Sequence, residues 1–221
     1  MLKNAALILA LLFAFSGFSF GQDGHFDASF SGAPIFTKGS SAGAVSQSAT
    51  IGMNVFGTIR LKFKPRHSFV FNYGHAKNSQ VYQMAGDNFH ILDSISEYSG
   101  AYMFSPFRKG NWEPFVLAGG GLLRFHPRST WLFLPPINQQ PDNIQLSLIA
   151  ANQSELAFVY GFGVDYRLPV LPRFALRLQY RGFLYKEPDF QLDSSAGSSV
   201  SFFTGTYGHM AEPSVGLVFR F

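Results

Sequence analysis

Over most of this chain large apolar side chains recur at every second position, the period of an extended strand with one greasy face. From His25 to about Phe36, Phe26, Ala28 and Phe30 alternate with Asp27, Ser29 and Ser31. A second strand sets Met53, Val55, Gly57, Ile59, Leu61 and Phe63 against Asn54, Phe56, Thr58, Arg60 and Lys62. After the tight turn Lys64-Pro65-Arg66-His67, a third opposes Phe69, Phe71 and Tyr73 to Val70, Asn72 and Gly74. His90 to Phe104 gives a fourth, Trp112 to Phe125 a fifth, and Glu155 to Leu168 the cleanest, a sixth. In the seventh Phe174, Leu176, Leu178, Tyr180 and Leu184 oppose Ala175, Arg177, Gln179, Arg181 and Phe183; the eighth runs from Pro213 to Phe221.

The connections alternate in length. Gly39 to Ser48 is Gly/Ser/Ala-rich, Ala76 to Asn88 is polar, His126 to about Asn152 carries three Pro, and Glu187 to about His209 is Ser-rich. Between them stand short turns at Lys64, at Ser105 to Asn111 and at Pro169 to Pro172. An up-and-down meander of about eight strands with tight turns at one end and long loops at the other predicts an all-β, antiparallel transmembrane barrel, the short turns periplasmic and the long loops extracellular. A soluble lipocalin-like barrel alternates too, but it keeps its apolar side chains inside. Here the polar face carries Asp27, Arg60, Lys62, Glu97, Glu113, Arg124, Asp165, Arg167, Arg177, Arg181 and Arg220. Such charges belong in a paired network within the lumen, not in an apolar ligand cavity. Phe69, Phe71, Tyr73, Phe158, Tyr160, Phe162, Leu178, Tyr180, Leu217 and Phe219 are then the lipid-facing set.

Composition agrees. Only 14% of the 221 residues are charged and 17% are aromatic, against the usual quarter or so charged in a soluble domain. The absence of Cys removes disulfides, thiolate metal sites and thiol nucleophiles. A formal charge of +4 without a Lys/Arg-rich run gives no case for nucleic acid. Lys3, the apolar run from Ala5 to Phe15, and Ser19 and Gly21 predict a secretory signal over 1–21, cleaved before Gln22, leaving 22–221 as one barrel domain. That run is shorter than the roughly 20 residues a membrane helix needs. No Cys follows the cleavage region, so a lipoprotein is excluded.

The terminal Arg220-Phe221 resembles the closing-strand signal by which the barrel-assembly machinery recognises outer-membrane barrels. Pro114-Phe115-Val116-Leu117-Ala118-Gly119-Gly120-Gly121 and Gln179-Tyr180-Arg181-Gly182 look like the fifth and seventh strands of the eight-stranded barrels related to outer membrane protein A. The resemblance covers the whole mature chain, and its motifs are motifs of fold. It implies a place in the outer membrane of a Gram-negative-type bacterium, Phe221 as the assembly signal, membrane lipids as partners and a monomeric state. No periplasmic peptidoglycan-binding domain is expected within 22–221, so wall anchoring is not part of what the resemblance implies.

Candidate chemistry is sparse. The interior charges form either a static network or a narrow gated pore, and the static network is the expectation. Some eight-stranded barrels are lipid A-modifying hydrolases; His209, Glu212 and Ser214, or Ser99, His90 and Glu97, are the sets near enough in sequence to consider, neither with a His-x-Ser-Asn pattern. His75, His90, His126 and His209 fall near one rim without ligand spacing, so no metal and no cofactor is expected. Gly119-Gly120-Gly121 and Gly161-x-Gly163 continue as strand and are read as sites of close packing. The patch Trp131 to Leu134 is either adhesive or lies against the rim among headgroups. The reading is a non-enzymatic barrel, structural or surface-interacting, with an extracellular ligand left open.

Overall fold

The computed structural model describes residues 25–42, 45–84, 87–127, 130–133, 145–150, 152–188, 191–194, 199–201 and 205–221. The signal over 1–21 and its cleavage site lie outside them. Eight long strands make the body: β1 (Phe26–Thr37), β2 (Gly52–Lys64), β3 (His67–Met84), β4 (Asp87–Phe104), β5 (Trp112–Pro127), β6 (Gln153–Arg167), β7 (Phe174–Lys186) and β8 (Tyr207–Arg220). Each is antiparallel to the next, and β1 pairs with β8 as well as with β2, so the sheet closes into an up-and-down barrel. The seam brings Asp27 opposite Arg220 and Phe36 opposite Ala211, and the Phe221 amide donates to the Phe26 carbonyl at 3.1 Å. Closure pairs the wall of the barrel on both sides, which an open sheet cannot do.

The short turns stand where the pattern places them; in that between β4 and β5, Gly110 takes a φ of 58°, a left-handed conformation that costs glycine little. Two predicted loops are corrected. Ala76 to Asn88 is not a loop: β3 and β4 stay paired from Ala76 opposite Ile95 up to Met84 opposite Asp87. The stretch 39–48 is not a plain loop either, since Val45–Ala49 pairs with Gln80–Met84 and Ser40–Ala42 folds back on Val45–Gln47. Gly, Ser, Asn, Gln and Lys interrupt the apolar alternation in these segments, so the period of two that marks the other strands is not there to read. The other two long connections also join: Thr130–Phe133, Gln145–Ala150, Gln191–Ser194 and Ser199–Ser201 form a separate four-stranded sheet. Trp131 to Phe133 are therefore strand, and Leu134 lies outside the described residues.

The barrel wall sorts its residues by parity. Phe30, Phe71, Tyr73, Phe158, Phe162, Leu178 and Leu217 point out and are about half exposed or more, while Phe56, Val70, Met103, Phe115, Val159 and Phe183 point in and are buried. Phe69 belongs to the outward set, as do the less exposed Tyr160, Tyr180 and Phe219. The interior is thus not reserved for polar groups. An eight-stranded barrel is just wide enough for its own side chains to fill it, and rings serve as well as guanidinium groups. Glycines of the inner wall make room for them: a Cβ on Gly163 would stand 2.6 Å from Cζ of Phe115.

Candidate functional site

Among the described residues the charged groups gather in the lumen, and they are layered there. At the short-turn end the register sets Asp27 beside Arg60 and Arg220, and Asp165 beside Arg177 and Glu113. Arg60 donates through Nε to Asp27 at 2.5 Å and lies 3.2 Å from Asp165 and 3.7 Å from Glu113. Arg177 grips Asp165 with two bonds, Nε to Oδ1 at 2.7 Å and Nη2 to Oδ2 at 2.9 Å, the bidentate geometry that suits a planar guanidinium. Lys62 reaches Asp27 at 3.1 Å, Arg167 reaches Glu113 at 3.3 Å, and Arg220 lies 3.4 Å from Glu113. Five cations thus share three carboxylates, Asp27, Glu113 and Asp165. The excess of positive charge stands at a mouth where Lys62 and Arg167 are partly open to solvent.

Midway up, the ratio reverses. Arg181, fully buried, donates to Glu97 at 2.8 and 2.9 Å and to Glu212 at 2.5 Å. Glu97 comes from β4 and Arg181 from β7, which are not neighbours in the sheet, so this bond crosses the lumen. The remaining acceptor sites are also filled: Asn54 donates to Glu212 at 2.9 Å and Ser99 to Glu97 at 2.6 Å. Asn72 donates in turn to Ser99 at 2.9 Å, and Thr58 to Asn72 at 2.7 Å. The Phe56 ring lies flat against the guanidinium, 3.7 Å from centroid to Cζ, and the Phe183 ring is 5.2 Å away. Above this the lumen turns apolar, with Ile35, Ile95, Leu123, Phe125, Tyr185 and Met210 buried together. Asp93 stands higher still, opposite Asn78 and Pro127. Burial pushes its carboxyl up to about 7, against the pull of the backbone amides of His126 and Ser94.

Of the charges assigned to the interior by parity, Asp27, Arg60, Lys62, Glu97, Glu113, Asp165, Arg167, Arg177, Arg181 and Arg220 lie in these layers. Arg124 does not. It is exposed on the outward register of β5, with Val116 and Leu122, because Glu113 and Phe115 face in and an even-numbered residue on the same strand must face out. Glu212, singled out only as a member of a hydrolase set, is the missing anion of the middle layer; its shared parity with Arg220 was the signal. Neither hydrolase set is assembled. His209 lies on the outward register, its Nε2 2.8 Å from the Tyr160 hydroxyl, whereas Glu212 and Ser214 face the lumen. Ser99 is bonded to Glu97, but His90 pairs with Val81 nine residues farther along β4, about 30 Å at the usual strand rise. His75 and His126 are on the outward register with His209; among the described residues no group of three or more His, Asp or Glu is placed to hold a metal.

No family model matches the chain, and no curated protein matches it. Solved structures do. Neisserial surface protein A superposes with a TM-score of 0.54 at 15% identity, covering 91% of this chain and 100% of its own. The outer membrane protein OprG from Pseudomonas aeruginosa gives 0.56 at 10% identity, covering 91% and 98%. At these identities the likeness is one of fold: this chain has the closed eight-stranded architecture of outer-membrane barrels.

Proposed function

We propose that this chain is a monomeric outer-membrane barrel of a Gram-negative-type bacterium. Its lumen is a structural plug, and its long-loop end is the surface that interacts. The fold likeness and the outward belt support the location. On β5 the outward face is apolar from Trp112 to Leu122 and ends at Arg124. Tilted by about 40° and rising about 3.4 Å per residue, that stretch spans about 25 Å, the height of a lipid-facing band. Aromatic pairs stand near both edges, Trp112 with Tyr166 at 4.6 Å and Tyr73 with Tyr98 at 5.2 Å. The long loops then lie outside the cell and the short turns in the periplasm, with Phe221 offered to the assembly machinery during insertion.

The observation that carries the plug is Arg181. A fully buried guanidinium clamped by two carboxylates, with a ring against its face, ties β7 to β4 and β8 across the lumen. Reconstitution in planar bilayers tests it: the folded chain is expected to be electrically silent. Steady single-channel conductance that changes on Arg181→Ala would instead establish the narrow porin. The hydrolase alternative has no constellation to support it among the described residues.

A further inference from the structure

The outer wall carries a second arrangement of charge, and it has one sign. Every strand carboxylate whose side chain is described, Asp27, Asp93, Glu97, Glu113, Glu155, Asp165 and Glu212, is on the inward register. The outward cations toward the long-loop end are unevenly spread. The register puts His75, Ser96 and Arg124 in one row across β3, β4 and β5, and Lys77, Ser94 and His126 in the next row up. His75, Lys77 and Arg124 are exposed, and among the described residues neither Lys77 nor Arg124 is in an ion pair. On β2, the neighbouring sector at this height is apolar, with Met53 and Val55 exposed. Lys186, on the far side, is also outward and lies near enough to the Glu155 carboxyl to pull on its charge.

Directly below the two rows come Tyr73, Tyr98 and Leu122, the edge of the apolar belt. One step lower, Gly100 and Gly120 stand opposite each other and make a notch in the outer wall, with the exposed rings of Phe71 and Phe158 on either side. The notch is open. A Cβ on Gly100 would touch only the Phe71 ring, at 3.8 Å, and one on Gly120 only a backbone oxygen, at 3.8 Å. A cationic, hydroxyl-bearing patch therefore sits at headgroup height, above a trough the width of a hydrocarbon chain.

We propose that this sector holds one lipid of the surrounding leaflet, with a phosphate-bearing headgroup on the patch and an acyl chain in the Gly100–Gly120 notch. Adjacent strands are about 4.8 Å apart, so the Arg124 and His75 strands flank the Ser96 column at about 10 Å, with Ser96 buried between them and Ser94, one row up, half-buried. The Arg124 fork and the Lys77 ammonium supply charge-assisted donors, and the half-buried Ser94 supplies a hydroxyl donor beside them. A free phosphate would find the same donors but would gain nothing from the notch. The proposal rests on the belt facing hydrocarbon.

The test uses the full folded chain in phosphatidylcholine vesicles carrying a minor fraction of spin-labelled phosphatidic acid or spin-labelled phosphatidylcholine. Flotation with the vesicles is scored first, and a chain that does not float sinks the membrane reading itself. In the floated sample the wall is expected to immobilise phosphatidic acid in preference to phosphatidylcholine. Lys77→Gln and Arg124→Gln should each weaken that preference about fivefold, the effect of one cation near a lipid surface. Lys186→Gln should leave it unchanged. Gly120→Leu, which fills the notch without touching charge, should weaken retention of the labelled chain. Equal retention of both lipids by the unaltered protein would overturn the proposal, as would loss of the preference on adding inorganic phosphate, which would mark a site for the soluble anion.

Discussion

The two charge layers of the lumen are built on opposite plans. At the short-turn end five cations share three carboxylates, several contacts exceed 3 Å, and the rim members reach solvent. In the middle one guanidinium serves two carboxylates, every bond is 2.9 Å or shorter, and the residues are buried. The first arrangement is redundant, because Asp165 still has Arg60 and Arg220 nearby when Arg177 is lost. The second has no spare member. A buried charge is tolerated only while its partner stays, so the same kind of substitution should have different consequences in the two places.

The largest effect is expected at Arg181. Arg181→Ala strands Glu97 and Glu212 and should cost about 3–5 kcal/mol, read as a fall in the urea midpoint of the vesicle-embedded protein. Replacing all three by Arg181→Met, Glu97→Gln and Glu212→Gln should recover most of that loss, because no uncompensated charge remains. Asp93 provides the contrast of a carboxyl with no cation paired to it among the described residues, above the belt and outside the membrane band. Its folded value of about 7 exceeds that of the unfolded chain, so the neutral form is favoured by folding. The stability it contributes is present below about pH 4 and is lost as pH rises through 7. Asp93→Asn should therefore stabilise the barrel above pH 7 by about 2–4 kcal/mol and flatten its pH profile. In the redundant layer Arg177→Gln should cost less than Arg181→Ala, about 1–3 kcal/mol, because Arg60 and Arg220 stay beside Asp165. Lys62→Gln, at the partly exposed rim, should shift the midpoint by less than about 1 kcal/mol. If Arg177→Gln and Arg181→Ala proved equally damaging, the distinction between the layers would fail.

These differences explain what the sequence could and could not disclose. The strands are legible wherever one face meets an apolar medium, as in Leu156 to Tyr166, where the period of two survives every position. It fades in Ala76 to Met84 and Val45 to Ala49, where Ser, Asn, Gln and Lys interrupt it although the backbone ladder continues. β5 defeats reading by hydrophobicity for the opposite reason: Phe115 and Leu123 face in while Val116 and Leu122 face out, so both faces are greasy. There the charges decide, and Glu113 and Arg124 cannot share a side because their numbers differ in parity. Which carboxylate meets which guanidinium is a matter of cross-lumen geometry. Glu97 reaching Arg181 depends on strand tilt and barrel width, and no local spacing encodes it.

The central claim is the sidedness of the wall, and because the chain has no Cys, single-cysteine variants can test it position by position. The most direct measurement places a fluorophore on Phe158→Cys and, separately, on its neighbour Val159→Cys, in vesicles whose acyl chains carry bromine. The account predicts strong quenching at 158 and almost none at 159, where the side chain is fully buried in the lumen. Quenching at 159 with protection at 158 would contradict it.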